Sequence, residues 1–321
     1  MFSSGGLLVN GIRIALDDAT SDVCFVSHAH SDHTSAFTKN KNRAKTIIAS
    51  AETFALMEES PCPSPSLPIS LHPAGHMFGA RQLLAETENG RFVYTGDFAL
   101  HDSYTAQGAE VLQCDTLMID STYCLPQYRL PKRSQVISEM RKFVAANERN
   151  IVVFGAYIRG KSQELVKFLN VECGVAPVVN SSAAKICSLY EKCGVKLDYI
   201  AAGTEEAEEA MHHPFVAIMP PGAVNFKFGA NLSQAYDREV KTAVATGWAH
   251  INRFPVDASF ALSDHADFKD TMKYIYDSGA KRIICANSGE REAAAYLRAI
   301  GLNAEAKSDV GKAVQATLAT C

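Results

Sequence analysis

Ser27-His28-Ala29-His30-Ser31-Asp32-His33-Thr34 sets three imidazoles and a carboxylate within six positions, H-x-H-x-D-H. Neutral His nitrogens and carboxylate oxygens are the donors that Zn²⁺ and similar borderline cations select. Neighbouring side chains leave a tight turn in different directions, so four donors this close can serve two ions. The apolar run Val23-Cys24-Phe25-Val26 delivers the motif as the end of a buried strand would. A solvated polar loop is the plainer alternative, and that apolar run argues against it.

Three further stretches present donors at strand ends, where a rigid scaffold lets a loop hold a ligand. Ala74-Gly75-His76-Met77-Phe78-Gly79 places one His between glycines, which permit close backbone approach. Tyr94-Thr95-Gly96-Asp97-Phe98 and Met118-Ile119-Asp120-Ser121-Thr122-Tyr123 each put an Asp just after a buried strand. Alone, each reads as a capped turn or a carboxylate binding backbone amides. Jointly they form a series of donors separated by strands. Donor chemistry then assigns His28, His30 and His76 to one ion, and Asp32 with His33 to a second, with Asp97 bridging. Two close ions bind a phosphoryl oxygen and activate water near neutral pH. Asp120 reads as the partner that orients a ligand His through its other N–H. His265, between Asp264 and Asp267, is the candidate for phosphate contact or leaving-group protonation.

With 321 residues, 47% of them hydrophobic, the chain can bury a large core in one large or two medium domains. The net charge of −4 advertises no global basic field, which weakens a polyanion partner without excluding one. Nine scattered Cys without a C-x-x-C pair, and no secretory signal, argue for reduced thiols in a cytoplasmic protein. No apolar stretch approaches a membrane span, so no membrane partner is expected.

The first third reads as short strands and turns, with a hairpin over 6–16 turning at Asn10-Gly11. From Lys132 the texture changes to alternating helices and strands: a helix over 134–147, a strand over 151–155, a helix over 162–169, and further β-α units to residue 246. That pattern predicts an α/β fold with a second, parallel sheet of its own. The run Glu205-Glu206-Ala207-Glu208-Glu209 reads as a solvated helix face. A helix ending at Ser278, a strand over 282–286 and a helix over 291–300 close the chain.

At these residues the chain resembles the metallo-β-lactamase-fold hydrolases, and within them the β-CASP nucleic-acid nucleases. The matches are His28-x-His30-x-Asp32-His33, His76 in A-G-H-M-x-G, Asp97 in Y-T-G-D-F, Asp120 in I-D-S-T-Y and His265 in S-D-H-A-D-F. Asp120 looks like the family's motif A carboxylate and His265 like its motif B histidine. Asp120 to Cys124 with Tyr128 to Pro131, Gly155 to Lys161 and Thr246-Gly247-Trp248 resemble segments of the DNA cross-link repair nucleases. The S-D-H-A-D-F form instead looks like the prokaryotic DNA-ligase-associated exonucleases, which are mRNA 3′-end-processing-factor-like. Such a resemblance implies an αββα sandwich in two parts, 1–124 and 251–321, with a β-CASP domain at 125–250 between them.

RNA-cleaving members carry a motif C histidine where this chain has Ala286-Asn287-Ser288-Gly289-Glu290. The second metal is therefore expected to be weak or absent, and Asn287 or Ser288 could contact metal-bound water or phosphate. The resemblance implies a zinc-dependent, single-strand-preferring 5′-to-3′ DNA exonuclease in repair, with Mn or Mg as possible substitutes. Catalysis would rest on Asp32, Asp97 and His265. Ser121, Thr122, Tyr157, Lys161 and Ser263 are candidates for a terminal-phosphate pocket, since hydroxyls and a cation suit phosphate. Lys161 has a bland alternative as a solvated cation at a helix start. Association with DNA ligase or other repair proteins is expected. The alternatives are an RNA-processing nuclease of the same fold and a non-catalytic nucleic-acid-binding member.

Overall fold

The computed structural model describes residues 2–3, 6–38 and 44–312. The chain divides into two compact units: residues 1–102, 106–129 and 265–321 form the first, and residues 103–105 and 130–264 the second. The cut therefore falls at Leu130 and between Asp264 and His265, with Ser103–Thr105 joining the second unit.

In the first unit, β1 (Phe2–Ser3), β2 (Gly6–Val9), β3 (Ile12–Leu16), β4 (Val23–Phe25) and β5 (Thr46–Ile48) form one sheet in that order. The β2–β3 hairpin turns on Asn10 and Gly11, both at positive φ (46° and 77°), the conformation a two-residue Asn-Gly turn demands. Helix α1 (Ala51–Leu56) follows; Ser50 caps it, its hydroxyl accepting from Thr53 N. Next come β6 (Ile69–Pro73), β7 (Arg81–Thr87), β8 (Gly90–Tyr94) and β9 (Thr116–Asp120).

The second unit runs α2 (Arg133–Ala146), β10 (Ile151–Gly155), α3 (Lys161–Phe168), β11 (Val178–Val179), α4 (Ser181–Lys192), β12 (Ile200–Ala201), α5 (Glu205–Met211), β13 (Val216–Met219), α6 (Phe226–Tyr236), β14 (Val240–Ala245) and β15 (Ala258–Phe260). Its six strands pair entirely in parallel, in the order β12-β11-β13-β10-β14-β15. That is the separate parallel sheet the β-α alternation predicts, and its all-buried central strand, Ile151 to Gly155, reads as an unbroken apolar run for that reason. The acidic run at 205–209 is indeed helical, and mostly exposed.

The chain then returns to the first unit with α7 (Phe268–Ser278), β16 (Arg282–Ala286), α8 (Glu290–Ala299) and β17 (Ala304–Ala306). These strands complete a second sheet of the first unit, β17-β16-β9-β8-β7-β6, in which β16 lies parallel to β9 with Ala286 opposite Asp120. The two sheets of this unit share one apolar core. Leu7, Val9, Ile14, Leu16 and Phe25 from the first meet Leu83, Phe92, Tyr94, Met118 and Ile284 from the second. Period-two alternation supports this packing: Leu7 and Val9 are buried while Leu8 between them is exposed. The fold is thus α/β with several sheets. Among the described residues, no helix is long and apolar enough to cross a membrane.

Leu83 is fully buried between the sheets. Leu83→Ala is expected to lower unfolding stability by about 2–5 kcal/mol in chemical denaturation, whereas Leu8→Ala, on the exposed face, should cost under about 1 kcal/mol.

Candidate metal centre

His28 and His30 follow β4, His76 follows β6, Asp97 follows β8, and Asp120 ends β9. Because β3 runs parallel to β4 with Leu16 opposite Phe25, Asp17 follows β3 at the level of Val26 and Ser27. There Asp17 N donates to Phe25 O (2.9 Å), and its carboxylate accepts from Ser27 N (2.6 Å). Asp17 adopts φ +59°, a left-handed conformation tolerated by Asp because its short side chain bonds locally. The same buried carboxylate accepts from Ser27 Oγ (2.6 Å), His33 Nδ1 (2.7 Å) and Tyr94 Oη (2.7 Å).

That arrangement dictates tautomers. The single Ser27 hydroxyl proton goes to Asp17, an acceptor only, so Ser27 Oγ must accept from His28 Nδ1–H at 2.9 Å. His28 Nε2 is thereby the bare nitrogen. It points to His30 Nδ1 (3.0 Å), which also lies 3.0 Å from His76 Nε2. Asp97 Oδ2 closes the group, 3.7 Å from His28 Nε2 and 3.6 Å from His76 Nε2. A tetrahedral zinc shell with bonds of about 2.0–2.1 Å has edges of roughly 3.3 Å. The observed separations bracket that edge, so the four side chains fit one ion.

Electrostatics agree with the geometry. Burial, reinforced by the neighbouring His33, His76 and His30, holds His28 well below its ordinary value and hence neutral. Burial and the charge of Asp120 push the Asp97 carboxyl up to about 7. Three imidazoles and a carboxylate short of counter-charge are the donor set a cation completes.

Asp97 also belongs to a second group, with Asp120 and His265. His265 Nδ1 donates to Asp120 Oδ2 (2.8 Å), leaving Nε2 3.9 Å from Asp97 Oδ2. Asp120 Oδ1 accepts from Thr122 N (3.0 Å) and Thr122 Oγ1 (2.7 Å). Asn287 donates through Nδ2 to Asp97 Oδ1 (2.6 Å), reaching Asp120 Oδ1 at 3.3 Å. The β9–β16 register explains this meeting, since Asn287 follows Ala286, the partner of Asp120.

Glycines make the close approaches possible. Gly96, at φ +55°, lies so near Ser27 that an added Cβ would sit 2.6 Å from the Ser27 Cβ. At Gly75, φ +79°, a Cβ would fall 2.1 Å from Ala99 O. Both positions admit only glycine.

His28, His30, His76 and Asp97 come together, and Asp120 pairs with His265. Asp32 and His33 join neither group. Asp32 is exposed, with its carboxylate 3.6 Å from His33 Nε2, while His33 Nε2 lies 3.5 Å from Asp97 Oδ2. Ser121 is buried, its hydroxyl donating to Ala286 O (2.6 Å). Tyr157, Lys161 and Ser263 belong to the second unit. Lys161 is buried there, its ammonium donating to Glu164 (2.9 Å), Leu262 O (3.1 Å) and Asp264. Arg133 pairs with the same Glu164. Asp17 is the site residue that sequence reasoning missed. Its signal was the Asp17-Asp18 pair at the end of an apolar strand, which looks like any turn.

No family model matches the chain. It is 32% identical over 306 residues to a probable DNA ligase of Opitutus terrae, covering 87% of this chain and 28% of that protein. It is 26% identical over 295 residues to the DNA cross-link repair 1A protein of Mus musculus, covering 81% of this chain and 28% of that one. With the 5′ exonuclease Apollo of Gallus gallus it shares 27% identity over 252 residues, 68% of this chain and 54% of that one. The chain thus spans only about a quarter to a half of these relatives. A protein of unknown function from Enterococcus faecalis V583 superposes with TM-score 0.56 at 15% identity, over 82% of this chain and 74% of that one, a likeness of fold. These homologues bear out the resemblance to the metallo-β-lactamase β-CASP nucleases.

Two measurements follow from the buried charges. Burial raises the Asp17 carboxyl, but the charge and hydrogen bond of His33 outweigh it and hold it below its ordinary value. Burial lowers His33, but Asp17 outweighs it and pushes the imidazole up to about 10. The His33 contribution is therefore fully present below about pH 6.5 and lost as pH rises through about 10; the Asp17 contribution is lost as pH falls through its depressed value. Asp17→Asn should cost about 3–5 kcal/mol in metal-free protein at pH 6, and the deficit should shrink toward pH 10 in urea titrations. Lys161→Ala is expected to lower stability by a similar 3–5 kcal/mol, because it strands Glu164 and Asp264; an unchanged melting temperature would mark Lys161 as a free surface cation instead.

Proposed function

We propose that this chain is a metal-dependent phosphodiesterase that degrades DNA, working as a single-strand-preferring 5′-to-3′ exonuclease in repair. The convergence of His28 Nε2, His30 Nδ1, His76 Nε2 and Asp97 Oδ2 carries this reading. The two core-sharing sheets of the first unit support the metallo-β-lactamase αββα sandwich, and the parallel-sheet unit at 130–264 supports the β-CASP insertion. Zinc is the cation we assign to the tight site, with Mn or Mg as substitutes and a weaker second site at Asp32 and His33 beside Asp97. A bound cation there supplies Lewis acidity toward a phosphoryl oxygen and lowers the pKa of water.

The chain's own residues then do the following. Asp97 joins the two donor groups and is the carboxylate we assign to orienting the nucleophile; Asp32, exposed at the rim, is a secondary contributor. Asp120 fixes His265 with Nδ1–H inward, so proton exchange with the leaving 3′ oxygen runs through Nε2. Asn287 tethers Asp97, and the absence of a histidine over 286–290, where RNA-cleaving relatives carry one, favours DNA over RNA. Ser121 and Thr122, which follow Asp120, remain the proposed phosphate contacts of the first unit; Lys161, already held by Glu164 and Asp264, does not. Free thiols, eight among the described residues, suit a reducing cytoplasm. The similarity to a probable DNA ligase supports association with ligase or other repair proteins.

Digestion of 5′- and 3′-labelled DNA and RNA under Zn²⁺, Mn²⁺ and Mg²⁺ checks the proposal. Single-stranded DNA should shorten from its 5′ end. His76→Ala and Asp97→Ala should lose more than the roughly 10- to 100-fold that removal of an outer partner costs. Full activity in Asp97→Ala, or preferential digestion of RNA, would contradict it.

A further inference from the structure

We infer that the second unit carries a nucleobase-stacking pocket built around Trp248, an inference that rests on the reading that this chain acts on DNA. The pocket lies at the carboxyl ends of β10 and β14, the edge where parallel sheets place ligands. Its volume is about 170 Å³ and its walls include Tyr157, Trp248, Asn252, Phe254 and Pro221. That is below the roughly 300–1,000 Å³ of pockets for drug-sized ligands, and its aromatic lining suits one flat ring system. The floor is Gly155, where an added Cβ would meet Pro221 Cα and Val244 Cγ1 at 3.1 Å.

Sequence places the occupant's charge. The loops leaving β10, β13 and β14 (156–160, 220–225 and 246–257), with the first turn of α6, contain Arg159, Lys227, His250 and Arg253 against one acidic residue, Asp257, whose carboxylate accepts from Thr242, in a chain whose net charge is −4. The same segments expose large apolar side chains: Tyr157 at 56%, Phe226 at 56% and Ile251 at 48%. Aromatic rings interleaved with cations are what single-stranded nucleic acid uses, bases stacking while the backbone meets positive charge. The platform is held in place: Phe226 N donates to Pro255 O (2.8 Å), and Asn252 N to Trp248 O (2.9 Å). Stacking on Trp248 and Tyr157 is tolerant of sequence, and the Asn252 amide offers a donor and an acceptor to a base edge. Neither Trp248 nor Phe254 carries a role in hydrolysis as derived above.

Trp248 is the single tryptophan of the 321 residues, so its fluorescence reports this pocket alone. The metal-loaded full chain would be titrated with a phosphorothioate-linked thymidine hexamer and with its abasic counterpart. The base-bearing strand should quench the tryptophan saturably, and the abasic strand should not. By anisotropy, Trp248→Ala should raise Kd for the base-bearing strand roughly 5- to 150-fold, with most of the affinity retained in Trp248→Phe. Equal quenching by both strands, or wild-type affinity in Trp248→Ala, would overturn the pocket. Hydrolysis of bis(4-nitrophenyl) phosphate by the wild type, and its loss in Asp97→Ala, judges the nuclease reading separately, since that diester has no base.

Discussion

One buried carboxylate, Asp17, holds the centre in register. It takes four hydrogen bonds at once, from the Ser27 amide and hydroxyl, His33 and Tyr94. Through Ser27 it decides which nitrogen of His28 is bare, and through His33 it anchors the far end of the same loop. Tyr94 ties this loop to the second sheet, one strand end away from Asp97. A candidate metal-binding loop with eight residues from Ser27 to Thr34 would otherwise pay the full entropy of ordering its imidazoles on binding a cation. Here the ordering is built in at folding.

Asp97 plays the complementary part on the other side. It is the member common to both donor groups and is itself oriented by Asn287. Burial beside Asp120 leaves it hungry for positive charge, which couples cation binding to the ionisation of the whole cluster. Asp120, in turn, is kept ionised: burial opposes its charge, but His265 and Thr122 stabilise it. The two carboxylates thus have distinct environments, one matched to a cation and one to an imidazole, as a site dividing acid–base labour requires.

Most of the strands and the donors were legible because their signals are local. Asn10-Gly11 announced its hairpin, and apolar runs ending in His or Asp announced strand-end ligands. The kinship with β-CASP nucleases followed from the same motifs. What sequence could not show is contact across the chain. Asp17 is sixteen residues from His33 and seventy-seven from Tyr94 in sequence, so nothing local distinguishes it from Asp18. Likewise Asp32, in the heart of the motif, points outward, because successive side chains on a turn cannot all face one centre. Lys161 reads as a phosphate cation, yet its surroundings are Glu164 and Asp264. Helix α6 is not legible in the sequence, since Gly229 and aromatic residues dilute its periodicity, although Asn225 caps it through Phe228 N.

The central claim is that His28, His30, His76 and Asp97 form one cation site. Anomalous diffraction at the zinc edge from crystals of the metal-loaded protein tests it most directly. A single strong peak ringed by those four side chains, with His28 Nε2 and not Nδ1 facing it, is the predicted result. A peak centred on Asp32 and His33 instead, or no peak near His28, His30 and His76, would contradict the account.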